Sequence, residues 1–130
     1  NDIDAIEYLN ELREACLEAY TGIVQGIRSG NVQNGEPSVE MKSLAAHVPS
    51  MIQLIDLVSG EKHPTDGLIG NAAGLIGDLV TSYGGEILPA VDRDTVSNIL
   101  TKGRKAKSSK TKTLATWATK EIRKLKNASG

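Results

Sequence analysis

The chain has 130 residues, enough for one domain and one core. Hydrophobic residues make up 39% and charged residues 24%, a balance that excludes wholesale disorder, and no apolar run reaches the length of a membrane-spanning helix. The formal net charge of −1 hides a split: residues 1–101 carry 15 acids and 5 bases, whereas residues 102–130 carry 10 bases and only Glu121. Two surfaces of opposite sign and different partners are expected from such a division.

Strand signals are nearly absent, while helical periodicity recurs along the whole chain. The first residue is Asn1, as in a processed chain or an excised piece. The first predicted helix runs from about Asp4 to Arg28, with Leu9, Leu12, Cys16, Tyr20, Ile23 and Ile27 expected on its buried face. Glu7, Glu11, Glu14 and Glu18, together with Asp4, fall on the opposite side of the helical wheel. Like charges three and four residues apart repel by a few tenths of a kcal/mol per pair, at roughly helix-surface spacing. The strip is either a solvated face or a docking strip for a basic partner.

Ser29-Gly30-Asn31 ends this helix, and a polar loop runs to Pro37. The second helix starts near Ser38, a candidate N-cap, and reaches Gly60, with Pro49 kinking or splitting it. Its apolar side holds Leu44, Val48, Met51, Ile52, Ile55 and Val58. The third opens at His63-Pro64-Thr65-Asp66, with Pro64 near a first-turn position, and closes at Gly84-Gly85. Within it, Gly67, Gly70, Gly74 and Gly77 share a side away from Leu68, Ala72, Leu75, Ile76 and Leu79, and Asp78 flanks that side. Each glycine in a helix interior costs about 1 kcal/mol against alanine. The stripe therefore reads as a close-approach face, for a neighbouring helix or for another backbone.

The fourth helix spans about Glu86 to Lys102 and is interrupted near Pro89 or Asp92. The fifth starts after Ser108-Ser109 and ends near Asn127, with a stripe of Leu114, Ala118, Ile122 and Leu125. Trp117, the one tryptophan, sits at the margin of that stripe, where an indole covers a core edge or serves as a binding platform. Glu121 lies one turn on, so indole and carboxylate are expected to grip a long cationic side chain. Lys112, Lys120, Arg123, Lys124 and Lys126 cover the rest, as the polar outer face of an end cap or as a nucleic-acid contact.

Amphipathic helices joined by short turns predict an all-α fold. The third and fifth helices lie about 40–45 residues apart, each after a broken helix, which is the period of HEAT-type pairs. The expected architecture is an α-solenoid of antiparallel helix pairs: five helices, or about two and a half repeats. Residues 1–29 form the second helix of a truncated repeat, 36–84 a full repeat, and 86–127 a final capping repeat. No catalytic constellation is present. His47 reads as a tolerated helix side chain and His63 as a turn residue, and neither has metal-ligand spacing with Cys16. The lone cysteine agrees with a reducing compartment, and the sequon Asn127-Ala128-Ser129 then reads as chance. No enzyme activity, metal or cofactor is expected.

Three blocks, LNELREACLEAYTGIVQGI (Leu9 to Ile27), HPTDGLIGNAAGLIGDLV (His63 to Val80) and TKTLATWATKEIRKLKN (Thr111 to Asn127), resemble the C-terminal end of the importin-β (karyopherin-β1) family of nuclear import receptors. The likeness spans essentially the whole chain and is weakest over Asn31–Val39. It implies a superhelix of HEAT repeats whose inner surface is lined by the second helix of each pair, here the first, third and fifth helices. In that family the inner surface wraps the basic N-terminal segment of importin-α, with acidic residues and tryptophans as contacts. The resemblance thus implies partner contacts at Glu7, Glu11, Glu14, Glu18, Asp78, Trp117 and Glu121, with Trp117 in the block LATWATKE as the last inner tryptophan. Ran and nucleoporin contacts would lie mostly in repeats outside this chain. Residence in cytoplasm, nucleus and nuclear pore is implied, and membrane binding is not. The competing readings are a structural end cap that touches no ligand, and nucleic-acid binding by the basic segment.

Overall fold

A computed structural model describes residues 2–29 and 39–129. These form seven α-helices: α1 (Asp2–Ser29), α2 (Val39–Ala45), α3 (Val48–Ser59), α4 (Asp66–Tyr83), α5 (Leu88–Val91), α6 (Asp94–Arg104) and α7 (Ser109–Ser129), with a 3-10 turn at Gly84–Ile87. The described residues include no strand. The stop at Gly30-Asn31, the loop through Pro37, the cap at Ser38 and the repeat start at residue 36 lie outside the described residues.

Five expected helices become seven because one is divided ahead of Pro49 and another at Asp92-Arg93. A helix continued through Pro49 would lose one backbone bond and press the proline ring on the preceding turn. The chain instead turns at Ala46-His47, and Pro49 enters the first turn of α3, where no amide hydrogen is needed. Pro89 likewise occupies the first turn of α5, and extended backbone at Arg93 precedes α6. At α4 the capping residue is Thr65, whose hydroxyl accepts from the Leu68 amide at 3.0 Å; Pro64 lies before the cap and outside the first turn expected for it. Gly84, with φ of 62°, closes α4.

The helices stack in two layers as a solenoid of antiparallel pairs. Helices α1, α4 and α7 lie side by side, and α3 and α6 back them. Helix α4 is central, touching α1 on one flank and α7 on the other. Nearly every residue from Leu68 to Val80 is therefore buried, with Leu68, Ala72, Leu75, Ile76 and Leu79 at the heart of the core. Starts of α4 and α7 at Asp66 and Ser109 are 43 residues apart, within the roughly 40–47 residues of HEAT-type pairs.

The buried face of α1 differs from the sequence expectation. Leu17 and Val24 are fully buried with Asn10, whereas Cys16 is exposed and Leu12 and Ile23 are 48% and 47% exposed. Helix α1 carries two apolar arcs, and a period-based reading centres between them. The arc with Leu17 and Val24 packs inward. Arg13 joins that side because Glu61 pairs with it at 3.2 Å, and the Asn10 amide bridges to the His63 carbonyl at 3.1 Å.

Candidate functional site

The side-by-side placement of α1, α4 and α7 leaves a groove of ≈ 640 Å³ running across all three. From α1 come Glu18, Thr21 and Gln25; from α4, Gly70, Asn71, Gly74 and Asp78; from α7, Lys110, Leu114 and Trp117. Three of the predicted contacts, Glu18, Asp78 and Trp117, thus meet in one groove with two of the predicted glycines.

The glycines are the reason the helices approach so closely. A methyl group on Gly70 would meet Thr111, on Gly74 Leu114, and on Gly77 the Trp117 ring. On Gly67 it would meet the Glu14 carboxylate instead. Three glycines therefore form the seat of α7 and the fourth receives a side chain of α1. The close approach belongs to neighbouring helices of the same chain.

Trp117 is half-buried, as its marginal position predicts, with its ring over Gly77. Glu121 lies about 40° around α7 from Trp117, one turn on. Its carboxylate pairs with Lys124 at 3.5 Å. The companions of the indole are Lys110 in the groove and Lys112, Thr113, Thr116 and Lys120 on its outer side.

Asp78 is also engaged within the chain. It is 3% exposed, accepts from the Gln25 amide at 2.9 Å and faces Arg28 at 3.6 Å. Burial pushes its carboxyl above the usual range, and the Gln25 bond and Arg28 oppose that shift. Arg28 further donates to the Thr81 hydroxyl at 2.6 Å. Asp78 thus ties α1 to α4 while lining the groove expected to meet a partner. The sequence reading missed Gln25, Arg28, Asn71 and Lys110. The only local signal for the first two is their spacing of three residues beside the acidic strip.

The acidic strip itself stays open. Glu7, Glu11 and Glu18 are exposed, and Asn71 donates to Glu18 at 3.2 Å. Burial raises the Glu14 carboxyl above its ordinary value, and the charges of Glu18 and Glu11 raise it further. The strip repels itself, so an approaching cation relieves it. No group of three or more His, Cys, Asp or Glu side chains converges as a metal site among the described residues. No described helix is long and apolar enough to cross a membrane.

The family model for importin subunit beta-1-like proteins, TPR repeats, matches residues 1–104. Importin subunit beta-1 of Schizosaccharomyces pombe is 32% identical over 121 residues, 92% of this chain and 13% of that protein. Importin subunit beta-1 of Arabidopsis thaliana is 31% identical over 86 residues, 66% of this chain and 9% of that protein. Among solved structures, importin beta in an ammonium sulfate condition superposes with a TM-score of 0.82 at 23% identity, covering 92% of this chain and 13% of that one. Importin beta in a polyethylene glycol condition gives 0.85 at 22% identity, covering 96% and 14%. The structural likeness establishes the solenoid, and the family match, over most of the chain, establishes the lineage. The chain, which spans about an eighth of its relatives' length, belongs to the importin subunit beta-1-like family.

Proposed function

We propose that this chain is an end segment of a nuclear import receptor whose α1–α4–α7 face helps hold the basic N-terminal segment of importin-α. The observation that carries the reading is the self-repelling strip Glu7, Glu11, Glu14 and Glu18 beside a groove whose far wall is Trp117. Carboxylates attract and orient a basic helix, and the indole supplies an apolar and cation-attracting anchor. Asp78 and Glu121 act indirectly, by fixing Gln25 with Arg28 and by holding Lys124. In this reading residues 1–29 are the second helix of a repeat, with Leu12 and Ile23 facing the position of its first helix. Residues 36–84 and 86–127 are the two full repeats. Ran and nucleoporin contacts belong to regions of the longer relatives outside this chain, and the receptor moves between cytoplasm and nucleus through the pore.

The test is a titration with a basic peptide from the importin-α N-terminal segment, following Trp117 fluorescence at low and moderate salt. A saturable change that weakens with salt is expected. No change at any salt, with helical content intact, overturns the reading. With a labelled peptide and anisotropy as readout, Trp117→Ala should weaken binding more than Lys124→Ala.

A second reading is a structural end cap. Its support is the pairing of basic residues inside the chain: Lys126 with Asp92 at 2.7 Å and Lys124 with Glu121. It predicts that charge reversal at Glu11, Glu14 and Glu18 leaves binding by the full-length receptor unchanged. Steeply salt-dependent retention on a polyanion column would instead favour nucleic acid.

A further inference from the structure

A second cleft, of ≈ 360 Å³, opens where α5 and α6 meet the C-terminal half of α7. It does not share the Trp117 groove. Its floor is apolar: Val91, Val96, Leu100 and Ile122 line it from three helices. Its rim carries four cations, Arg93, Arg104, Arg123 and Lys126, against two acids, Asp92 and Asp94.

The internal pairing of these charges leaves a positive excess. Lys126 is taken by Asp92, and Arg93 reaches Asp56 at 3.4 Å. Arg104 meets no carboxylate among the described residues; its guanidinium donates to the Thr119 hydroxyl at 2.6 Å and to Thr101 at 3.3 Å. Those two hydroxyls hold the fork across the α6–α7 seam at the cleft wall. Arg123 is exposed and has no partner among the described residues. Two arginines, one held in place and one free to reach, thus border an apolar floor.

We propose that this cleft docks an acidic peptide segment, with an aliphatic side chain seated on the floor and flanking carboxylates on Arg104 and Arg123. Arginine suits this task because its planar fork takes a carboxylate through two parallel bonds. A nucleic-acid strand fits less well. The lining holds no aromatic ring on which a base could stack, and Asp92 and Asp94 would face its phosphates. The surface is separate from the acidic strip, so the molecule would carry opposite charge preferences on two faces.

The experiment uses this chain and a fluorescein-labelled peptide bearing one leucine flanked on both sides by glutamates, read by anisotropy at about 50 mM salt. Saturable binding is expected, weakened about tenfold by Arg123→Glu and further by adding Arg104→Ser. Lys112→Glu with Lys120→Glu, beside Trp117, should leave it unchanged. A peptide of glutamates alone should bind more weakly. Arg123→Glu is the primary variant because its side chain holds no described partner, and circular dichroism checks that helix content is kept. Equal affinity of the wild type and the Arg123→Glu chain, loss of binding only in the Lys112/Lys120 variant, or tighter binding of an oligothymidine than of the peptide would each overturn the proposal.

Discussion

Alanine at Gly77 and alanine at Gly74 should act in opposite directions, although both positions lie in the interior of α4. Either substitution gains up to about 1 kcal/mol of helix propensity. At Gly77 the added methyl would overlap the Trp117 ring, which must leave its seat, and overpacking of this kind costs about 1–3 kcal/mol. At Gly74 the nearest atom is a Leu114 methyl at 3.7 Å, an ordinary contact. Gly77→Ala is therefore expected to lower the urea midpoint and shift Trp117 emission to the red, and Gly74→Ala to raise the midpoint with emission unchanged. A shared direction would contradict the packing account. Asp78 sets a different kind of constraint. Asp78→Ala removes the acceptor of the Gln25 amide and the counter-charge of Arg28, both of which still reach water, so a loss of up to about 1 kcal/mol is expected in the same urea measurement. An unchanged midpoint would mean that water replaces the carboxylate without cost.

At the scale of the helix, α1 combines a self-repelling strip with an inner edge that holds α4. The Glu14 carboxyl is raised by burial first, then by Glu18 and Glu11, so the folded chain holds that proton more tightly than the unfolded chain. The sign follows from linkage: this group's contribution to stability is full below its unfolded value and is lost as pH rises through the carboxylate range. Glu14→Gln should then stabilise the chain at neutral pH by a few tenths of a kcal/mol, roughly the size of a like-charge helix pair. The gap to wild type should close only as the pH is lowered below about 4, beneath the ordinary glutamate range. Urea midpoints of both chains at the two pH values measure it, and a gap that widens on acidification would refute the assignment. The same substitution should weaken the basic peptide if the strip is its docking site. Much of this was legible in sequence. Pro49 announced the first broken helix, the second was placed near Pro89 or Asp92 and falls at Asp92-Arg93, and the glycine spacing announced a close approach. The inner face of α1 was not legible, because Leu12, Cys16 and Ile23 pull any periodic average toward the arc that stays exposed. Nor was the Asp78–Gln25–Arg28 tie, whose partners are about 50 residues apart and share no local pattern. The Glu121–Lys124 pair was not read either, although its spacing of three residues on one helix allows it.

For the whole molecule, the unequal embedding of the helices predicts an unequal distribution of stability. A stacked array is stabilised by each repeat and by its contacts to immediate neighbours, so an outer element can open while the rest stays folded. Helix α4 is flanked by α1 and α7 and backed by α3 and α6, and its opening breaks the two largest interfaces of the stack. Helix α1 rests mainly on α4, leaves Ile3, Tyr8, Leu12 and Ile23 exposed, and carries Gly22 and Gly26 in its interior. Apart from Leu17 and Val24 in the core, its ties to α4 are polar: Asn71 on Glu18, Gln25 on Asp78 and Arg28 on Thr81. Native-state hydrogen exchange should accordingly show the α4 amides from Leu75 to Leu79 opening only with global unfolding, and α1 amides at least about tenfold less protected. Saturating basic peptide should raise protection in α1 above all, since a ligand that bridges α1 and α7 stabilises the folded form of the weakest element. Equal protection of α1 and α4 without ligand would show that the stack melts as one unit. In that case the acidic strip would not be an independently yielding edge of the docking face.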